Sequence, residues 1–156
     1  IDGGEFNTAE RFYAGNKRLG EVPCARIIAE RLSLVLEPQN ITVTVEHHLK
    51  NDKRCDFTAA KVIAGKRRLL VTEVKGQWHS DLYEAAPNQL NDLYAIHPDA
   101  EQQGIYLVIW FGSDEKVAGK VNNQIHNANE LKIKIESVLP NEIKGLIDVF
   151  VLDVSK

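Results

Sequence analysis

The spacing of apolar residues predicts a helix near the start of the chain. From Val22 to Leu36 apolar residues recur at the spacing of an amphipathic helix. Pro23 suits the first turn of this helix, and Pro38 follows its end. The predicted buried stripe consists of Cys24, Ala25, Ile28, Leu32, Val35 and Leu36.

A different spacing predicts five strands. Apolar residues alternate with polar ones over residues 40–49, and two further strands, 55–64 and 69–75, follow after short polar turns. These three strands are predicted to form an antiparallel meander. Residues 104–111 are almost entirely apolar, which is typical of a strand covered on both faces, and residues 145–154 form the last predicted strand.

Two more helices are predicted between these strands. One begins at about Asn88, and the other covers residues 128–140 with Asn129 as its N-cap. The resulting order is helix, three strands, helix, strand, helix, strand. This order predicts an α/β fold with a mixed central sheet flanked by helices.

The composition fits a single globular domain with ordinary solubility. The chain has 156 residues, of which 44% are hydrophobic and 26% charged. No apolar run is long enough to span a membrane and no signal-peptide pattern is present, so we expect a cytoplasmic protein without a membrane partner. The net charge of −3 provides no global basic field. A nucleic-acid partner would therefore depend on a local patch or on a bound metal.

The ends and the cysteines bear on domain organisation. Methionine is absent, so we expect a trimmed chain or a domain cut from a larger protein, whose other domains are candidate partners. Residues 1–6 are interpreted as a vector remnant, residues 7–156 as one domain, and homo-oligomerisation stays open. Cys24 and Cys55 lack zinc-ligand spacing and are expected to be reduced thiols.

The second and third predicted strands bring charged residues together. Side chains alternate faces along a strand, so Glu73 and Lys75 point the same way. Asp56 begins the preceding strand. With residues 65–68 as the connecting turn, antiparallel pairing places Asp56 about opposite the end that carries Glu73 and Lys75.

Such a group predicts a metal site. Two carboxylates in a partly buried cleft repel each other unless a cation lies between them. Ligands that supply only oxygen favour Mg²⁺ or Mn²⁺, and either metal can acidify a water and stabilise charge on a phosphodiester. Lys75 beside it would be held as an ammonium. The alternative is structural: Glu73 and Lys75 form a solvent-exposed strand end, and Asp56 is a turn residue.

Four segments together resemble the PD-(D/E)xK nuclease superfamily, which has the restriction-endonuclease-like fold. They are CDF at 55–57, LLVTEVKGQW at 69–78, NQLNDLY at 88–94 and GIYLVIWF at 104–111. The resemblance implies an αβββαβ core, to which the last helix and strand are additions. It also implies that Asp56, Glu73 and the backbone carbonyl of Val74 bind the metal. Lys75 would be the catalytic lysine, and Gln89 on the following helix a further active-site residue.

The chain departs from the pattern of that superfamily at two places. Cys55 stands where a proline usually precedes the first acid. Members that resemble the RecB and Cas4-type nucleases carry Q-x-x-x-Y on the helix after the lysine, whereas here Tyr94 comes one residue late. On an α-helix Tyr94 would be rotated away from Gln89, so only Gln89 is carried over. A looser similarity is to nuclease domains of bacterial defence and restriction proteins.

Five residues near the predicted site are candidates for nucleic-acid contact. Gln77, Trp78 and His79 follow the lysine, and Lys53 and Arg54 precede Asp56. A tryptophan can stack on an unpaired base, and basic side chains can bind phosphates. The alternatives are a turn residue for Gln77, a packed ring for Trp78 and a solvated hairpin end for the basic pair.

These observations predict a Mg²⁺-dependent phosphodiesterase of the PD-(D/E)xK type, with a DNA endonuclease from a bacterial defence or restriction system as the favoured form. DNA rather than RNA, and internal rather than terminal cleavage, follow from the resemblance and not from particular residues. Two alternatives stay open. One is a catalytically silent module that binds nucleic acid or protein, and the other is a toxin-type RNase on the same fold.

Overall fold

The computed structural model describes residues 8–48, 54–94, 97–119 and 124–156. Within these ranges the chain forms a five-stranded sheet with helices on both faces and a small two-stranded hairpin near the N-terminus. The predicted order of helices and strands is confirmed. Residues 1–6 and Lys53 lie outside the described residues.

The elements have the following bounds. The strands are β1 Tyr13–Ala14, β2 Lys17–Arg18, β3 Thr42–His48, β4 Arg54–Ile63, β5 Lys66–Gly76, β6 Gly104–Trp110 and β7 Ile147–Asp153. The helices are α1 Glu21–Leu36, a π-helix Ala86–Tyr94 and α2 Ala128–Val138. Short 3₁₀ turns cover Thr8–Phe12, Glu37–Gln39 and Asn141–Ile143.

The main sheet is mixed, as predicted. Its strand order is β3-β4-β5-β6-β7. The first three strands are antiparallel neighbours, and β6 and β7 run parallel to β5. Parallel neighbours need a crossover connection, and the π-helix and α2 lie in those two connections. None of the helices in the described ranges combines the length and the apolar character that a membrane span requires.

The hairpin between β4 and β5 turns earlier and more tightly than predicted. Ile63 pairs with Lys66, so only Ala64 and Gly65 form the loop. Their φ angles are +51° and +77°, and a two-residue hairpin loop with two positive φ angles matches the twist of the flanking strands. The predicted turn over residues 65–68 is therefore wrong, because three of its residues belong to β5.

Each face of the sheet has its own core. Helix α1 covers one face, and the π-helix and α2 cover the other. The α1 core contains Phe12, Cys24, Ile28, Phe57, Val74, Ile109 and Phe111. The opposite core contains Leu69, Val71, Leu82, Leu90, Tyr106, Val108, Trp110, Leu131 and Ile135. Alternate residues of β5 thus enter different cores, so Val74 faces α1 while Val71 faces the π-helix.

The predicted stripe of α1 is buried only over its first half. Cys24, Ala25 and Ile28 are buried, whereas Leu32 is 37% and Val35 64% exposed. The helix packs mainly on β3, which is the outermost strand of the sheet. The second half of α1 therefore has no further strand to lie on, and the prediction of burial is wrong there.

Helix α2 begins two residues earlier than its predicted cap implies. The N-cap is Asn127, whose Oδ1 accepts a hydrogen bond from the amide of Glu130 at 2.9 Å. Glu130 reaches back in turn and accepts a hydrogen bond from the amide of His126 at 2.7 Å. The bond to Glu130 satisfies an amide that the start of a helix leaves without a partner, and the bond from His126 ties the residue before the cap to the first turn. The prediction of Asn129 as the N-cap is wrong by two residues.

Candidate active site

The candidate site begins where β4 and β5 part. The antiparallel ladder between them runs as far as Phe57 opposite Thr72 and stops there. At Asp56, the residue before Phe57, a side chain takes over from the backbone ladder. Its Oδ2 accepts a hydrogen bond from the amide of Val74 at 2.7 Å. Asp56 thereby lies at the end of β5 that carries Glu73, where the antiparallel pairing predicts it.

Glu73 and Lys75 form a buried ion pair on β5. Nζ of Lys75 lies 2.7 Å from Oε1 of Glu73. Glu73 is 4% exposed and Lys75 is 7% exposed. The register of the parallel ladder places Glu73 beside Tyr106 of β6. The structural alternative of an exposed strand end is therefore wrong for both residues.

The charges around this pair perturb its titration. Burial, followed by the charge of Asp56, raises the pKa of the Glu73 carboxyl to about 7, although Lys75 acts to lower it. For Lys75, burial acts to lower the pKa, but Glu73 and the neighbouring carboxylates outweigh it. The net pKa of Lys75 is raised, so its side chain stays an ammonium at neutral pH. The carboxylates outnumber the cation in this buried group.

The titration of Glu73 gives a prediction that needs no substrate. Between pH 4.5 and about 7 the folded protein holds a proton on Glu73 that the unfolded chain releases, so the stability contributed by this carboxyl falls as the pH rises through that window. In EDTA, ¹³C NMR of the side-chain carboxyl should give a midpoint near 7. Asp56→Asn should lower that midpoint, because it removes a neighbouring negative charge.

Two results would contradict this prediction. One is a wild-type midpoint at the ordinary value of a glutamate, near 4.5. The other is a midpoint that Asp56→Asn leaves unchanged. Asp114→Asn is the matched control, because Asp114 is exposed and remote in sequence from the pair.

The two cysteines are free, as predicted, and both are buried. Burial raises the pKa of the Cys55 thiol to about 12, and the charges of Glu73 and Asp56 act in the same direction. Burial likewise raises the pKa of Cys24 to about 12. Both thiols are therefore neutral at pH 7 in the metal-free protein.

Glu21 is a further carboxylate at this end of the sheet, and it was not predicted. It is the first residue of α1, and its Oε1 accepts a hydrogen bond from the amide of Gly76 at 2.8 Å. Its charge acts on the pKa values of Glu73 and Lys75. Acidic residues are common in the first turn of helices, where they complement the helix dipole. The sequence therefore contains no signal that marks Glu21 as part of a site.

Gln77 is a buried structural residue and not a surface contact. It is 0% exposed. Its Nε2 donates to the carbonyls of Gly112 and Glu115, both at 3.0 Å, and its Oε1 accepts from the amide of Phe111 at 2.6 Å. Every polar group of the side chain is thus engaged with the loop after β6. The prediction that Gln77 contacts nucleic acid is corrected, because no part of it reaches solvent.

Trp78 is packed into the protein, as its structural alternative predicts. Its ring lies against Gly76 so closely that an added Cβ there would come within 2.3 Å of it. The guanidinium of Arg18 stacks on the ring at 3.3 Å from its centroid, and Phe111 lies 5.6 Å away. With Arg18 over the ring, the prediction that Trp78 stacks on a base has no support in this arrangement.

His79 is partly accessible to solvent. Its side chain is 28% exposed, and its Nε2 lies 3.8 Å from Oε2 of Glu21. Its Nδ1 accepts a hydrogen bond from the amide of Asp81 at 3.1 Å. His79 therefore stays a candidate for phosphate contact. Arg54 opens β4 as part of the backbone, but its side chain, like Lys53, lies outside what the structure describes.

Gln89 lies on the π-helix and not on an α-helix. Its side chain is half-buried and makes no hydrogen bond to any residue that the structure describes. The hydrogen bonds of a π-helix join residues five apart, so its side-chain spacing differs from that of an α-helix. Gln89 and Tyr94 have this separation. The predicted rotation of Tyr94 away from Gln89 assumed α-helical spacing, and the side chain of Tyr94 lies outside what the structure describes.

The donor set for a metal is small. Asp56, held by the amide of Val74, and Glu73 are the two carboxylates at the end of β5 that the metal-site prediction names. In the described ranges, no three or more His, Cys, Asp or Glu side chains are grouped so as to hold a metal ion. A hard cation at this place would therefore take one or two protein carboxylates and complete its coordination with other oxygens, which is the usual arrangement for Mg²⁺.

Comparison with known proteins finds one family. Residues 5–113 match the family described as Domain of unknown function (DUF8371). The matched range contains Asp56, Glu73, Lys75 and Gln89 and ends before α2 and β7. Neither a curated protein nor a solved structure matches the chain.

Proposed function

The chain belongs to the DUF8371 family, and from the geometry of its candidate site we propose that it is a metal-dependent nuclease. It hydrolyses phosphodiester bonds, with DNA favoured over RNA and internal cleavage favoured over terminal cleavage. The proposed fold is restriction-endonuclease-like, with α1 to β6 as the αβββαβ core and with α2 and β7 added.

The observation that carries this proposal is the excess of negative charge at the end of β5. Lys75 contacts Glu73 at 2.7 Å, the charges of Glu21 and Asp56 also act on both residues of this pair, and Glu73 is 4% exposed. Charges that are removed from water are costly unless opposite charges balance them. Burial first, and then the charge of Asp56, raise the pKa of Glu73 to about 7. A divalent cation would balance the excess charge, whereas an ordinary structural ion pair needs only one carboxylate.

The residues present fit such a cation. The amide of Val74 holds Oδ2 of Asp56 at 2.7 Å and so orients the carboxylate. All donors are oxygens, which suits Mg²⁺ or Mn²⁺. An ion held by Asp56, Glu73 and the Val74 carbonyl would supply Lewis acidity toward the attacking water and the phosphate.

The chain's own side chains then act on the bound phosphodiester. Lys75 is an ammonium that Glu73 holds at 2.7 Å, and it donates a hydrogen bond to the attacking water or to the oxygen on which charge develops. Gln89, whose side chain has no hydrogen bond within the described residues, is available to orient the same water or phosphate oxygen. Glu73 and Lys75 are nearly buried, so few waters surround them. The low local dielectric strengthens the hydrogen bonds that Lys75 and Gln89 would make to the water or the phosphate.

The test of this proposal is metal-dependent cleavage by the purified chain. Plasmid, linear DNA and tRNA are incubated with Mg²⁺ or Mn²⁺ and, separately, with EDTA. We expect plasmid cleavage that EDTA abolishes and that Asp56→Asn lowers at least about 100-fold. The asparagine can still accept the hydrogen bond of the Val74 amide, so the strand end is retained while the charge is lost.

The controls separate the alternatives. Asp114→Asn, an exposed substitution of the same type, should leave the rate unchanged. Cleavage of tRNA without cleavage of DNA would indicate that the substrate is RNA. Calorimetric Mn²⁺ binding without any cleavage would support the silent binding module and overturn the nuclease proposal.

A further inference from the structure

The outer edge of β3 is open in the part of the chain that the structure describes. β3 is the first strand of the main sheet, and β4 is the strand with which it pairs. Alternate residues of β3 therefore direct their backbone amide and carbonyl away from the sheet. An edge of this kind is a template for one more strand unless charges, prolines or a covering segment protect it.

The hairpin between β4 and β5 fixes which residues of β4 bond to β3. Its two-residue loop closes on Ile63 and Lys66, and such a closing pair exchanges its backbone hydrogen bonds. Hydrogen-bonded pairs alternate along an antiparallel ladder, so every second residue of β4 from Ile63 bonds to β5. The residues between them, Thr58 and Ala60, bond to β3.

Over residues 42–45 this leaves two residues of β3 with outward backbone groups. The partners of Thr58 and Ala60 are Thr44 and Thr42, which therefore bond to β4. The amides and carbonyls of the alternating valines, at positions 43 and 45, point outward. The amide of Ile41, the preceding position of the same parity, already donates to the carbonyl of the last residue of α1 at 3.2 Å.

This part of the edge carries no charge. Positions 41–45 read Ile-Thr-Val-Thr-Val, and β-branched side chains pack well across paired strands. The other edge of the sheet, β7, carries the exposed acids Asp148 and Asp153. Charges on an edge strand oppose further pairing, so the sheet is protected at β7 and unprotected at β3.

An apolar surface on α1 continues past the same edge. Leu32 and Val35 extend the helical stripe of the buried Ile28, but they are 37% and 64% exposed. Val45 lies opposite Phe57 of the α1 core, so it faces α1, and it is 38% exposed. A partner at this edge therefore has to supply a strand for the backbone groups and apolar side chains on the α1 side.

A second copy of the chain supplies both. When two β3 strands pair antiparallel about a twofold axis at Thr44, Val43 of each copy lies opposite Val45 of the other. Every outward amide and carbonyl of these valines then has a partner. The axis is perpendicular to the joined sheet, so both α1 helices lie on one side of it, with the exposed Leu32 and Val35 of the two copies at the junction.

Other positions of the axis fit less well. An axis at Val43 would set Val45 opposite Ile41, whose amide is already engaged. An axis at Val45 would set Val43 opposite His47 and replace an apolar pair by a mixed one. The axis at Thr44 pairs valine with valine and threonine with threonine.

From the open edge, its uncharged strand and the apolar stripe beside it, we propose that the chain forms a homodimer in which two β3 strands pair about Thr44 and join the two sheets. The proposal does not depend on the nuclease function, because it uses no residue of the candidate site. A strand of another protein is the competing occupant. The two differ at the axis, since only in the homodimer does Thr44 lie opposite its own counterpart.

The test changes the charge at that position. In sedimentation velocity from about 1 to about 200 µM, we expect the wild type to pass from monomer to dimer. Thr44→Lys and Thr44→Asp each set like charges opposite one another and should weaken the dimer at least about tenfold. An equimolar mixture of the two variants should dimerise again, because lysine then faces aspartate. Asp148→Lys, an exposed change on the other edge strand, should leave the dimer unchanged.

Two further measurements keep the result specific. Thr44 is exposed, so both of its variants should melt near the wild-type temperature at the lowest concentration. Hydrogen exchange of the amides of Val43 and Val45 should slow as the concentration rises, whereas that of the Thr44 amide, which bonds to β4, should not. A wild type that stays monomeric throughout overturns the proposal and leaves the edge to another protein. A dimer that both charges at Thr44 leave intact, or that the mixture does not restore, overturns it too.

Discussion

Lys75→Met is expected to lower the rate of metal-dependent DNA cleavage by about 100- to 1,000-fold while Mn²⁺ binding is retained. Among the described residues, Lys75 is the cation that contacts Glu73, at 2.7 Å, and its raised pKa keeps it charged. Methionine preserves an unbranched side chain of similar length but removes the charge and its three donors. The loss should appear in the single-turnover rate at saturating substrate, because the interaction strengthens as charge develops on the phosphate.

The control for this substitution is Lys144→Met. Lys144 is exposed, and its Nζ contacts Oδ1 of Asn141 at 3.1 Å, far along the chain from β5. It should retain the wild-type rate. Lys75→Arg should recover little activity, since a planar guanidinium does not replace a compact ammonium in a buried position. A Lys75→Met protein that cleaves DNA within a few-fold of the wild type would remove Lys75 from the mechanism.

Gln77→Leu is expected to destabilise the protein by about 3 kcal/mol or more. Leucine occupies a similar volume, so the loss isolates the hydrogen bonds that Gln77 makes to Phe111, Gly112 and Glu115. Buried backbone groups left without partners cost about 1–3 kcal/mol each. For a protein of this size the melting temperature should fall by roughly 10 °C.

Gln124→Leu is the matched control, because Gln124 is exposed and should give a change within about 0.5 kcal/mol. Hydrogen exchange adds a local readout. In Gln77→Leu the amides of Phe111 and Ala118, which bond to the side chain and the carbonyl of residue 77, should exchange faster than in the wild type. An unchanged melting temperature would mean that the loop after β6 is held by its apolar residues alone.

The face of the sheet to which each strand side chain points could be predicted, because the alternation of side chains along a strand depends only on neighbouring residues. Glu73 and Lys75 point together in the structure as the alternation of β5 predicts. The position of Asp56 also follows, although the predicted turn was wrong. A turn at residues 65–68 would pair Ala64 with Leu69, whereas Ile63 pairs with Lys66. The two registers differ by an even number of residues, so every side chain keeps its face.

The type of helix that carries Gln89 could not be predicted. Apolar spacing over residues 88–94 is compatible with an α-helix, and whether its hydrogen bonds span one more residue depends on how the segment packs against β5 and β6. The structure places Tyr94 five residues after Gln89 within one π-helix. This changes which residues can share its face.

The sequence alone determined the order of elements, the mixed sheet, the shared face of Glu73 and Lys75 and the approach of Asp56, because each depends on periodicity or on one short hairpin. The tertiary structure alone decided that the pair is buried, that Glu21 joins it and that Gln77 is a structural residue. Glu21 bonds to an amide 55 residues away, and Gln77 bonds to a loop more than 30 residues away. Such contacts arise from the packing of whole elements, and no local pattern of residues encodes which distant groups will meet.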